Sequence, residues 1–150
     1  MSTPFQLIVP RSIYDDMIAQ ARSELPNECC GFLAGNIHPP SLTTHPSLPV
    51  GRVECRYPLV SSPVSPTRYE ADSKSLIEAH RDMRRQGIHE LAIYHSHPTS
   101  APVPSRTDLE RNYYPGVVHL IISLKDGEPQ VRGWWLEEHN FREADWRLAE

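Results

Sequence analysis

The sequence predicts an α/β or α+β three-layer sandwich, in which flanking helices cover a mixed central β-sheet. Two observations support this fold class. Segments with helical periodicity alternate with apolar segments of strand length along the chain. The uninterrupted apolar run 117–124 is typical of a strand covered on both faces, and the Asp126-Gly127 turn after it predicts a hairpin with a return strand.

The elements follow in order along the chain. Predicted strands occupy 5–9, 30–35, 50–60, 91–97, 117–124 and 130–137. Predicted helices occupy 11–25, from Asp72 or Ser73 to about 86, and 105–112, with Gly87 as the stop of the second helix. Segment 141–148 is either a last strand or a short helix. The polar, Pro-rich segments 37–48 and 61–66 are predicted loops.

Periodicity also predicts which side chains share a face. The second helix is expected to bury the stripe Leu76, Ile77, His80 and Met83. The strand 50–60 is expected to place Val53, Cys55, Tyr57 and Leu59 on one face.

Composition excludes several classes of protein. A chain of 150 residues is expected to form a single domain, 1–150, and its net charge of −4 without a basic block makes nucleic acid an unexpected partner. No apolar run is long enough to cross a membrane, and the N-terminus lacks a basic segment before an apolar one. A cytoplasmic location is therefore expected. Three cysteines, two of them adjacent, form neither a disulfide framework nor a C-x-x-C zinc knuckle.

The most informative stretch runs from His95 to Asp108. Strand alternation is expected to put Leu91, Ile93, His95 and His97 on one face, so both imidazoles leave the strand end in one direction. A Pro-rich loop can then fold Asp108 back beside them. Two neutral nitrogens and one carboxylate form a three-ligand zinc set, with the fourth position free for water, as in catalytic sites.

Each of these residue types also has a simpler interpretation. Ser105-x-x-Asp108 resembles a helix capping box, although a capping serine can still face a cleft. On its own, Glu28 would be an exposed turn residue. Cys29 or Cys30 could be a nucleophile, but a small buried strand residue is favoured. The histidines outside the cluster are expected to be satisfied packing residues (His80, His119) or surface residues (His38, His45, His89, His139).

Taken together, these segments resemble the JAMM (MPN-plus) metallopeptidase family. The stretch from His95 to Asp108 is similar to its metal motif, Pro26–Gly35 is similar to its glutamate-bearing strand, and Arg68–Asp72 resembles its short bacterial branch. The resemblance implies an MPN, or cytidine-deaminase-like, fold. It implies that His95, His97 and Asp108 bind one zinc ion per chain. Ser61 lies near the place where short bacterial relatives often have an asparagine.

The resemblance also implies catalytic roles and a substrate. Glu28 would be the general base, and Ser105 a hydrogen-bond donor to the substrate oxygen. The expected activity is hydrolysis of the amide bond after the C-terminal Gly-Gly of a ubiquitin-like sulfur-carrier protein. The carrier or its C-terminal adduct would be the partner, and a homodimer is left open. The alternatives are a non-catalytic scaffold of the same fold and a zinc deaminase, whose H-x-E and P-C-x-x-C motifs are not present.

Overall fold

The computed structural model describes residues 4–40, 48–61, 65–112 and 114–149. This part of the chain forms eight strands and three helices. The strands are β1 (Gln6–Pro10), β2 (Cys30–His38), β3 (Val50–Leu59), β4 (His89–His97), β5 (Val118–Ser123), β6 (Gln130–Leu136), β7 (Phe141–Glu143) and β8 (Trp146–Ala149). The helices are α1 (Arg11–Ser23), α2 (Ser73–Gln86) and α3 (Arg106–Glu110).

All eight strands join one mixed sheet in the order β7-β6-β5-β4-β2-β3-β1-β8. β4 runs parallel to β5 and antiparallel to β2, so it lies inside the sheet between two partners. β5 and β6 form the predicted hairpin, with Asp126 and Gly127 in its turn. The mixed sheet with flanking helices confirms the predicted fold class.

Helices α1 and α2 cover opposite faces of the sheet. Met17, Ile18 and Ala21 of α1 pack in one core cluster, together with Leu7, Leu33, Tyr94 and Leu120 of the strands. Ala79 and Met83 of α2 pack in another, with Phe32, Leu59 and Ile93. A smaller cluster of Ile121, Trp134 and Leu136 lies beside Leu109 of α3.

Two β-bulges contradict the face assignments made from simple alternation. Leu33 pairs with Ala92 but Ala34 pairs with Glu90, so Leu91 is skipped and packs on the α1 side, opposite to Ile93. In β3, the register skips Glu54, and Val53 packs on the α1 side, away from Cys55, Tyr57 and Leu59. An extra residue reverses the alternation, and its position depends on the pairing of the strands.

Smaller corrections concern element ends and one helix face. Ile37 and His38 extend β2 instead of starting a loop, whereas 41–47 and 62–64 lie outside the described residues. Helix α1 ends at Ser23 and α3 ends at Glu110, each shorter than predicted. Segment 141–148 contributes two short strands. Ile77 is exposed, because the buried stripe of α2 runs through Ala79 and Met83.

The predicted cap and end of α2, which depend on residues close in sequence, agree with the structure. The Asp72 carboxylate accepts a hydrogen bond from the Ser75 backbone N–H at 2.7 Å and caps α2, which ends at left-handed Gly87 (φ 70°).

Gly31 pairs with Tyr94, and a Cβ at Gly31 would lie 2.2 Å from the phenol oxygen. The described residues contain no helix long and apolar enough to span a membrane.

Candidate metal site

Three predicted ligands meet at the C-terminal end of β4. Nε2 of His95 lies 3.1 Å from Nε2 of His97. One carboxylate oxygen of Asp108 lies 3.2 Å from His95 Nε2, and the other lies 3.2 Å from His97 Nε2. Both imidazoles are almost fully buried, and 9% of the Asp108 side chain is exposed. The three side chains therefore converge on one small volume.

The spacing of these atoms fits a zinc ion. Zinc–nitrogen bonds of about 2.0–2.1 Å in a tetrahedron place neighbouring ligand atoms about 3.3 Å apart. The 3.1 Å between the two imidazole nitrogens and the 3.2 Å from each nitrogen to one Asp108 oxygen are close to that value, and the two carboxylate contacts are made by different oxygens. A carboxylate and two imidazole nitrogens are also donors that zinc accepts. The residues present can therefore hold this metal.

The hydrogen bonds of His97 orient its ring for coordination. Its Nδ1 lies 2.8 Å from the carbonyl oxygen of Ala101, which can only accept, so Nδ1 carries the proton and Nε2 presents a lone pair. The loop that supplies this carbonyl is itself fixed. Trp134 Nε1 donates to the Pro102 carbonyl at 2.9 Å, and Ser123 Oγ donates to the Ser100 carbonyl at 2.7 Å.

Helix α3 holds Asp108 by the predicted capping box. Ser105 Oγ accepts from the Asp108 backbone N–H at 3.1 Å, and the Asp108 carboxylate accepts from the Ser105 N–H at 2.8 Å. Burial acts to raise the pKa of Asp108, but the neighbouring His95 and His97 and the Ser105 N–H outweigh it and lower that pKa. The carboxylate is thus ionised and oriented, while the Ser105 O–H remains able to donate.

Glu28 lies just before β2 and is attached to the ligand-bearing strand. Its neighbour Cys29 donates its N–H to Ser96 Oγ at 2.8 Å and accepts from the Ser96 N–H at 3.1 Å, and Ser96 separates the two histidines. The Glu28 N–H donates to the Ser65 carbonyl at 2.8 Å. The simpler interpretation of Glu28 as an exposed turn residue is wrong, since 5% of its surface is accessible.

The electrostatics of Glu28 link it to the cluster. Burial raises its pKa to about 8; the charge of His97 opposes this shift, and the charge of Asp108 adds to it. Its Oε1 is buried and has no hydrogen-bond partner among the described residues. A carboxyl with a pKa near neutrality and an unpaired oxygen suits proton transfer.

Sequence reasoning missed several contacts at the site. The Tyr69 ring packs against the His95 ring, with centroids 4.8 Å apart, and no local signal predicts this long-range contact. The Ser96 hydroxyl could have been suspected, because a serine between two ligands must point to the opposite face. Ser61 is buried and its Oγ accepts from the Glu70 N–H at 3.0 Å.

The cysteines and the other histidines were mostly interpreted correctly. Cys29 and Cys30 are fully buried, and burial raises the pKa of the Cys29 thiol to about 11, which argues against a nucleophile. His80 packs against Phe32 and lies 3.4 Å from the Tyr114 hydroxyl. His119 is buried as expected, but the prediction that it is satisfied is wrong, because its Nε2 has no partner among the described residues.

A family model described as prokaryotic homologs of the JAB domain matches residues 10–137. This chain belongs to the prokaryotic JAB-domain family. Its similarity to named members is moderate and extends over most of the chain. It is 34% identical to a desampylase of Haloferax volcanii over 145 residues, 94% of this chain and 95% of the relative. It is 31% identical to the CysO-cysteine peptidase of Mycobacterium tuberculosis over 126 residues, 83% of this chain and 77% of the relative.

Other comparisons agree with this assignment. A probable TtuB-protein conjugate cleaving protease of Thermus thermophilus is 34% identical over 133 residues, 88% of this chain and 77% of that protein. The solution structure of a Desulfitobacterium hafniense protein superposes with a TM-score of 0.79 at 30% identity, covering 96% of this chain and 93% of the other. The resemblance to short JAMM-type enzymes and the prediction of an enzyme of the hydrolase class are both confirmed.

Proposed function

We propose that this JAB-domain protein is a zinc-dependent peptidase that hydrolyses the amide bond after the C-terminal Gly-Gly of a ubiquitin-like sulfur-carrier protein. The observation that carries the proposal is the convergence of His95, His97 and Asp108 at zinc-ligand spacing, with Glu28 beside them. The names of the relatives support the substrate class, because they include a CysO-cysteine peptidase and a TtuB-protein conjugate cleaving protease.

The ligand roles follow from the donor atoms. Nε2 of His95, Nε2 of His97 and a carboxylate oxygen of Asp108 would hold the ion. When bound there, zinc would lower the pKa of a coordinated water to about 7 and polarise the substrate carbonyl. The carbonyl of Ala101 keeps the tautomer of His97 that can coordinate, so the loop hydrogen bonds contribute to affinity for the ion.

Glu28 and Ser105 would act on the substrate. We assign Glu28 as the general base that removes a proton from the attacking water and then delivers it to the leaving amine. Its burial favours the second step, because desolvation stabilises the protonated carboxyl that donates to the leaving amine. The Ser105 hydroxyl would donate to the carbonyl oxygen as negative charge develops there.

The test combines metal analysis with cleavage of a carrier protein extended by one residue after Gly-Gly. Wild type should contain about one zinc per chain and release the extra residue, as measured by mass spectrometry. Glu28→Gln should retain zinc but lose at least about a hundredfold in rate, since general bases contribute about 10²–10⁴-fold. Chelation should abolish cleavage, and added zinc should restore it.

The exposed Glu138→Gln serves as a matched control and should cleave like wild type. Zinc binding without cleavage of any extended carrier would refute the proposed substrate. Cleavage that continues in chelator would refute the metal mechanism. The single-domain organisation, the cytoplasmic location, the absence of a nucleic-acid partner and the homodimer left open by the resemblance stay predictions.

A further inference from the structure

The side chain of Gln20 on α1 joins three strands of the sheet by hydrogen bonds. Its Nε2 donates to the carbonyl oxygen of Cys30, the first residue of β2, at 3.1 Å. Its Oε1 accepts from the hydroxyl of Tyr94 on β4 and, at 2.8 Å, from Nη1 of Arg56 on β3. The same Nη1 donates to the Tyr94 oxygen at 3.1 Å. Gln20 therefore lies at the centre of a polar network.

The partners of Gln20 allow its amide a single orientation. A guanidinium can only donate and a carbonyl can only accept, so Oε1 faces Arg56 and Nε2 faces Cys30. The second hydrogen of Nε2 is donated to Glu24 Oε2 at 3.0 Å. Both oxygen lone pairs and both amide hydrogens are thus used, and a network whose members are all satisfied is rigid.

A glycine of β2 makes room for the Tyr94 side chain. Tyr94 is fully buried, and a Cβ at Gly31 would lie 2.2 Å from its phenol oxygen. The phenol thus occupies the space that any larger residue at position 31 would fill. This close approach brings the hydroxyl from β4 to the same amide that binds the carbonyl of Cys30 on β2.

Both strands are held by Gln20 next to residues of the candidate site. Cys30 lies two residues after Glu28, and Tyr94 directly precedes His95. The pairing of β2 with β4 begins at Cys30 and His95, so Glu28 itself lies outside the ladder. The hydrogen bond from Gln20 therefore fixes the chain at the point where the ladder stops supporting it.

Gln20 acts from the face of the sheet opposite to the candidate site. A cavity of about 260 Å³ opens on the α2 face, and Asp108 lines it together with apolar side chains and the charged Arg68, Glu70 and Arg111. Gln20 belongs to α1, which packs on the other face, and it does not line this cavity. A substitution at Gln20 can therefore affect a reaction at the ligands only through the residues that Gln20 holds.

We infer that Gln20 is a positioning residue, which holds the segment that carries Glu28 against the strand that carries the metal ligands. The inference rests on the proposed function, in which Glu28 transfers protons at the metal site. Packing alone does not require glutamine at this position, because Met17, Ile18 and Ala21 already bury the apolar face of α1. The specific contribution of the amide is the hydrogen bond to Cys30, and a misplacement of about 1 Å can cost about a hundredfold in rate.

The first test measures cleavage of the extended carrier by two variants. Gln20→Leu removes the four hydrogen bonds of the amide, whereas Gln20→Glu keeps the acceptor for Arg56 and loses the donor to Cys30. Both should lower kcat at least about tenfold, expressed per bound zinc so that unfolded protein does not count. KM and zinc affinity should stay within about twofold of wild type. The same substitutions at the exposed Gln130 are matched controls and should have no effect.

A double-mutant cycle then asks whether Gln20 acts through Glu28. In the Glu28→Gln background, Gln20→Leu should change kcat by less than about twofold, because the base that Gln20 positions is already absent. A tenfold loss in both backgrounds would overturn the inference, since Gln20 would then act independently of Glu28.

The last measurement needs no substrate. In chelator, ¹³C NMR follows the titration of the Glu28 carboxyl, whose pKa burial raises to about 8. Gln20→Leu should lower this pKa by at least about one unit, because the released segment admits water, and Gln130→Leu should leave it unchanged. An unchanged titration in Gln20→Leu would overturn the inference, whether or not a carrier is cleaved. A lowered pKa together with no cleavage of any extended carrier by wild type would support the positioning role and refute the proposed function.

Discussion

Replacing Glu28 by glutamine should stabilise the metal-free protein at neutral pH. Burial raises the pKa of Glu28 from 4.5 to about 8. At pH 7 the unfolded carboxyl is ionised, whereas the folded one is mostly protonated, and taking up that proton has a free-energy cost. A pH of 7 lies about 2.5 units above the pKa of the unfolded carboxyl, and each unit costs about 1.4 kcal/mol. Protonating Glu28 on folding therefore costs about 3 kcal/mol. Glutamine is neutral in both states and avoids this cost.

The direction of the pKa shift of Glu28 fixes how the stability difference between Glu28→Gln and wild type changes with pH. A carboxyl whose folded pKa is raised contributes full stability below pH 4.5, and this contribution is lost as pH rises to about 8. The difference in unfolding free energy between Glu28→Gln and wild type should therefore be near zero at pH 4 and grow to about 3 kcal/mol at pH 7. Other titrating groups are shared by both proteins and cancel.

The assay is urea unfolding followed by tryptophan fluorescence, in chelator, at several pH values from 4 to 8. Chelator is needed because a bound dication would itself lower the pKa of a nearby carboxyl. The exposed Glu138→Gln should match wild type throughout. A difference between Glu28→Gln and wild type that is zero at pH 7, or constant across the range, would refute a protonated, buried Glu28.

Three further predictions concern the ligands, the loop and the sheet. Asp108→Asn should weaken zinc binding at least about a hundredfold in competition titrations and remove the rise in Tm that zinc produces in wild type. Trp134→Phe loses the hydrogen bond to the Pro102 carbonyl in the loop between His97 and Ser105. It should lower the unfolding free energy by about 1–3 kcal/mol and weaken zinc binding. The control Trp146→Phe should leave zinc affinity unchanged. Gly31→Ala should lower the unfolding free energy, measured in urea, by more than about 2 kcal/mol because the added Cβ would overlap the Tyr94 ring. In a double-mutant cycle, Tyr94→Leu should relieve part of that loss. Strictly additive effects of the two substitutions would contradict the overlap.

Much of the ligand set could be predicted from the sequence because its geometry is local. His95 and His97 share one face of one strand. Asp108 is oriented by the capping box at the start of α3, which the sequence shows as Ser105-x-x-Asp108. Caps and helix stops depend on neighbouring backbone groups, so the cap at Asp72 was also predictable. Glu28 was identified only through the resemblance to a family, since nothing near it in sequence indicates a metal.

The tertiary structure decided what depends on strand pairing and burial. Bulges at Leu91 and Glu54 reverse faces, and they arise from the register between strands that are distant in sequence. The raised pKa of Glu28 and the unpaired Nε2 of His119 exist because packing excludes water from groups that would be solvated in an open chain. The sequence by itself therefore predicted the residues proposed to bind a metal, whereas only the assembled sheet set the burial that raises the pKa of the proposed base and formed the cavity beside the site.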